Sequence, residues 1–96
     1  AQEEVDFIAG EMGWETDHSA RWAAACALTV ILDHGVPIQR YTIAKYAQAA
    51  KLVADQDFTL YKADDDEERM EQVLIGTLVG NQLFAAFRIL AQEAQR

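Results

Sequence analysis

Apolar residues recur along this chain at intervals of three and four, the spacing of a helix face rather than of a strand. The pattern predicts four helices. In Gln2–Met12, Val5, Ile8, Ala9 and Met12 share one side. Glu3, Glu4 and Asp6 stand in the first turn, where they complement the helix dipole, and Gly13 is placed to end the helix. The second segment covers about Asp17–His34. Thr16 or Asp17 offers an N-cap oxygen, and Trp14 is positioned to pack on the first turn. Its stop is the clearest punctuation in the chain, His34-Gly35-Val36-Pro37, a glycine followed by a proline. From Ala20 to Leu32 only Arg21 and Thr29 interrupt an apolar run, so this helix is expected to be buried on most sides.

The third segment begins at Pro37 or Ile38 and reaches about Ala54. Arg40, Lys45, Gln48, Lys51 and Asp55 fall on one arc and Ile43, Tyr46, Ala47, Ala49, Ala50 and Val53 on the other, as in an ordinary amphipathic helix. Residues Asp55–Ala63 read as a connection whose Phe58, Leu60 and Tyr61 pack back on the helices. The fourth segment, about Asp65–Gln95, opens on Asp64, Asp65 and Asp66 as capping residues, with Glu67 and Glu68 in its first turn. It would be about 45 Å long at 1.5 Å per residue, with a candidate break at Gly80-Asn81. Its large apolar residues, from Val73 to Leu90, cover more than one face. Short connections imply antiparallel neighbours, so the expectation is one all-α domain over residues 1–96, a small bundle or orthogonal arrangement with a long C-terminal helix.

Composition narrows the partners. Half the residues are apolar, 51%, enough for a core, yet a chain of 96 residues gains much from a second copy. The net charge of −8 argues against nucleic acid. That charge is unevenly placed. Residues 1–18 hold six acids and no Lys or Arg, and residues 55–72 hold eight acids against Lys62 and Arg69. Residues 34–54 carry Arg40, Lys45 and Lys51 with no acid, so a basic helix lies between two acidic stretches. The segment Val73–Ala91 is the best candidate for a membrane span, but Asn81, Gln82 and Arg88 interrupt it, and no membrane association is expected. No signal peptide stands out, and a cytoplasmic setting is the expectation.

The chemical inventory is thin. Cys26 is the single cysteine and reads as a small buried hydrophobe. Asp55, Asp57, Thr59 and Asp66 copy four oxygen positions of a calcium loop, but Leu60 stands where the sharp turn needs glycine. Glu11, Glu15, Asp17 and His18 gather around one turn, without the ligand spacing of a metal centre. Ser19 is the only serine, its neighbour His18 does not face it on a helix, and there is no phosphate-binding glycine loop. No catalytic residue, metal or cofactor is therefore assigned.

The reading that remains is a non-enzymatic protein–protein interaction module of inhibitor, immunity or adaptor type. Its acidic surface, Asp55, Asp57, Asp64, Asp65, Asp66, Glu67, Glu68 and Glu71, would dock on a basic protein partner. The chain would be a homodimer, with Gly76 and Gly80 letting a second helix approach beside Phe84 and Phe87. Two alternatives compete. One is a DNA-associated, helix-turn-helix-like regulator using the basic helix at residues 38–54. The other is a small metal- or ligand-binding helical protein.

Overall fold

A computed structural model describes residues 1–61 and 64–96. The protein is all-α, with helices α1 (Gln2–Met12), α2 (His18–Asp33), α3 (Arg40–Leu60) and α4 (Asp66–Ala94), and no strand occurs among the described residues. The long C-terminal helix read from the sequence is present. The chain separates into two compact units, Ala1–Leu52 and Val53–Arg96.

The first unit holds α1, α2 and the first half of α3. Local signals close its helices as the sequence foretells. At the end of α1, Gly13 adopts φ 72°, its N–H donates to the Gly10 carbonyl at 3.2 Å, and the Trp14 N–H reaches back to Ala9 at 2.9 Å. Gly35 repeats this at the end of α2, with φ 80° and bonds from Gly35 to Leu32 and from Val36 to Ile31. These paired bonds satisfy carbonyls that a helix end leaves open, and the left-handed backbone they need is one glycine adopts without strain. Asp17 caps α2, its carboxylate accepting from the Ala20 N–H at 3.1 Å and from the Ser19 hydroxyl at 3.0 Å. Those bonds hold the Asp17 pKa below its ordinary 3.8, the Ala20 bond contributing most.

Packing is confined to one stripe. α1 lies on α2, and the buried residues among those described are Ile8, Ala9, Ala25, Leu28 and, from α3, Ala47. The expectation that α2 is covered on most sides does not hold. Ala25 and Leu28 are three apart on one face, whereas Trp22, Val30 and Leu32 are exposed, because a single neighbouring helix covers only a single stripe. Cys26 is likewise exposed rather than buried, since it projects about 100° around the helix from Ala25. Polar contacts tie the helices at the margin. Arg21 bonds Thr16 Oγ1, the Trp14 carbonyl and Asp6, the last at 3.3 Å. Arg40 reaches Glu4 at 2.8 Å, with its guanidinium 4.2 Å from the centre of the Phe7 ring.

The second unit holds the last turns of α3 and all of α4. Here the sequence reading is corrected. Helix α3 does not stop near Ala54 but runs to Leu60, so Asp55, Asp57 and Phe58 are helical. No glycine or proline falls between Ile38 and Leu60, and each further turn adds hydrogen bonds at little entropic cost once a helix is nucleated. Phe58 and Leu60 point to solvent instead of packing back; residues 62 and 63, the end of the expected connection, lie outside the described residues. Asp65 caps α4 by accepting from the Glu67 N–H at 3.2 Å. Helix α4 then continues without a break through Gly80-Asn81 for 29 residues.

Candidate functional site

Within the second unit, the residues proposed for partner binding gather where α3 ends and α4 begins. Asp55, Asp64, Asp65, Asp66, Glu67, Glu68 and Glu71 are exposed, and Asp57 is half-buried. Arg69 sits among them and pairs with Asp66 at 3.1 Å, one turn along the same helix. The two helix segments meet at Tyr61, whose side chain enters an open pocket bordered by Leu60, Glu68, Glu71, Gln72 and Ile75. The Tyr61 hydroxyl donates to Asp57 Oδ1 at 3.4 Å. Desolvation raises the Tyr61 pKa above its usual 10.0, and the neighbouring Asp57 carboxylate raises it further. Asp57 therefore contributes to local structure as well as to the acidic surface.

The calcium-loop resemblance dissolves at the same place. Asp55, Asp57 and Thr59 lie on a helix, and the Thr59 hydroxyl donates back to the Gln56 carbonyl at 2.7 Å. A helix spreads such residues around its axis, whereas a calcium loop converges them. Around the other candidate turn, Asp17 is engaged as a cap, and the His18 ring stacks near Trp22 with centroids 6.3 Å apart. Among the described residues, no three His, Cys, Asp or Glu side chains are grouped to hold a metal ion.

The basic helix is partly committed within its own unit. Arg40 is held by Glu4 and Phe7, and Lys45 lies 5.2 Å from the Tyr41 ring centre with Gln48 Oε1 at 3.5 Å. The first unit also has an apolar cleft of about 460 Å³, bordered by Val5, Ile8, Trp14, Ala24, Ile43 and Tyr46.

The four residues proposed for a dimer interface fall into two environments. Gly76 faces Tyr61 of its own chain, whose ring occupies the space a Cβ at position 76 would need. Gly80 faces open space, and Phe84 and Phe87 are 46% and 60% exposed. They belong to a larger set. No residue of α4 is buried, although Val73, Leu74, Ile75, Leu78, Val79, Leu83, Ile89 and Leu90 are also apolar. Among the described residues, α4 is the one helix long and apolar enough to cross a membrane by length and composition, with a mean hydropathy of 1.6 over 18 residues.

The chain matches no family model, no curated protein and no solved structure.

Proposed function

We propose that this protein is a non-enzymatic interaction module that assembles through α4 and offers the acidic junction of α3 and α4 to a basic protein partner. An inhibitor, immunity or adaptor role in the cytoplasm fits that description. The observation that carries the reading is α4 itself, a helix of 29 residues with large apolar side chains along most of its length and none of them buried. Contiguous apolar surface of this extent marks an association site in soluble proteins, because leaving it in water forgoes about 25 cal/mol per Å².

The acidic residues supply the second half of the reading. They cluster where α3 ends and α4 begins, all but Asp57 exposed, where charge steers encounter and selects partners more than it adds affinity. Asp65 is best spared in a test because it caps α4. The triple variant Asp64→Lys, Asp66→Lys, Glu71→Lys is compared with the unaltered chain in pull-downs from source-cell lysate at low and high salt. The expected result is a basic protein retained at low salt, released at high salt and lost from the variant. A partner that binds the variant equally well overturns the acidic docking surface.

A further inference from the structure

Because α4 is continuous from Asp66 to Ala94, the register of its apolar residues can be followed from end to end. Val73, Gly76, Gly80, Leu83, Phe87, Leu90 and Ala94 succeed one another at intervals of three and four over three heptads. This is the spacing of a two-helix coiled-coil seam. Of the flanking positions Thr77, Val79, Phe84, Ala86, Ala91 and Glu93, only Glu93 is charged, and Asn81, Arg88 and Gln92 fall on the outer face away from the seam. The geometry points to a second copy of this chain as the occupant, with the two α4 helices antiparallel and Leu83 of each seated over Gly80 of the other. This inference rests on the proposed assembly through α4 and specifies its partner and orientation.

Side-chain volume selects the direction. In the antiparallel pair, Val73 meets Leu90, Gly76 meets Phe87 and Gly80 meets Leu83, so each glycine receives a large side chain. A parallel pair sets Gly76 on Gly76 and Gly80 on Gly80, then Phe87 on Phe87 two turns later. Two successive empty layers and one overfilled layer cannot share one interaxial distance without voids. Charge selects the same direction. Residues 64–71 hold six acids against Arg69, and a parallel pair would bring two such segments within a Debye length of each other, about 8–10 Å. The antiparallel pair holds them at opposite ends. Val73, Val79, Leu83, Phe84, Phe87 and Leu90 are each 42–60% exposed, and covering them in both copies removes about 1,000 Å² from water, the threshold of a specific interface.

Lipid is the competing occupant, and the sequence of α4 disfavours it. Asn81 and Gln82 fall midway between Glu71 and Glu93, which would place both amides at the centre of a bilayer with Arg88 only a turn and a half away. On the outer face of a two-helix pair the same residues stay in water. One rearrangement is required. Tyr61 covers Gly76 in the single chain, so Phe87 of the second copy displaces its ring on pairing.

The test places a nitroxide on Ala94→Cys, a seam position at the end of α4, in a Cys26→Ser background and combines dipolar spectroscopy with light scattering at micromolar concentration. The expected outcome is twice the 10.7 kDa chain mass and an inter-label distance of about 38 Å, from about 25 residues of helix rise at 1.5 Å each. A dimer with labels closer than about 15 Å overturns the antiparallel orientation while the assembly reading stands. A monomer overturns both, as does a chain that floats with phosphatidylcholine–phosphatidylglycerol vesicles and does not pair in buffer. Leu83→Glu with Phe87→Glu is expected to weaken the dimer more than tenfold while the fluorescence of Trp14 and Trp22, both in the first unit, is retained; undiminished pairing overturns the seam. Tyr61→Ala vacates Gly76 and is expected to tighten the dimer several-fold, whereas a weaker dimer overturns the layer of Gly76 and Phe87.

Discussion

Tyr61 lies across Gly76, its ring in the space that any larger residue at 76 would claim and its hydroxyl 3.4 Å from Asp57 Oδ1. A residue at the end of one helix thus reads the absence of a side chain on the next. The contact also sets the tyrosine's chemistry. Burial against α4 disfavours the phenolate first, and the Asp57 charge disfavours it second.

In the Leu83→Glu, Phe87→Glu background, where no second copy displaces the ring, Gly76→Ala is therefore expected to expel it and return the Tyr61 pKa toward 10.0, as read by ultraviolet absorbance against pH. Asp57→Asn removes only the second cause and brings it down part of the way. Since the folded value is the higher one, the contact stabilises fully below pH 10.0, and that contribution is lost as pH rises through the folded value. A titration identical in Gly76→Ala and the parent would contradict the contact.

Asp17 carries the opposite sign. Its folded pKa is depressed, so its cap stabilises fully above the unfolded value of 3.8 and is lost as pH falls through the lower folded value. Asp17→Ala is expected to lower Tm by a few degrees at neutral pH, whereas Asp17→Asn keeps an accepting oxygen and loses much less. Thermal melts of both variants at neutral and acid pH separate the two effects.

Leu28 is the largest buried residue that α2 contributes to the core. Leu28→Ala is expected to destabilise the first unit by about 2–3 kcal/mol, the lower part of the range for such truncations because neighbouring helices can close in. Urea unfolding followed by tryptophan fluorescence measures this, and an effect below about 1 kcal/mol would mean the stripe is not the core.

Arg40 and Glu4 meet at 2.8 Å, but the arginine side chain is 54% exposed. A double-mutant cycle on Arg40→Ala and Glu4→Ala is expected to give a coupling of about 0.5 kcal/mol that fades in high salt. Phe7→Ala should cost Arg40 a comparable amount through the lost ring contact.

What could be read in advance divides along a physical line. Gly13, Gly35 and Asp17 act within a few residues of themselves, so the end of α1 and both ends of α2 are legible in the sequence alone. The run Asp55–Leu60 was misread because acids and aromatics resemble a connection by composition, although nothing in it breaks a helix. Burial was the least legible property. Cys26 and Trp22 look like core by character, but whether they are covered depends on how many helices lie against α2. The pairing of Tyr61 with Gly76 has no fixed spacing to announce it, and Gly76 alone read equally well as a seat for a helix from elsewhere. At the candidate interface, the residue types were visible early, but their continuous register required knowing that α4 passes through Gly80 unbroken.

That unbroken rod also sets a spacing. In the antiparallel pair the two Asp66 positions stand about 45 Å apart, with one acidic junction at each end. Such a particle is bivalent, and a target that repeats a basic site at that interval would be held at both ends. The second contact would form at the high local concentration that tethering creates, so avidity would exceed what either acidic end achieves alone. A target with a single basic site would gain nothing from the pairing, which makes the length of α4 a means of telling arrays from isolated sites.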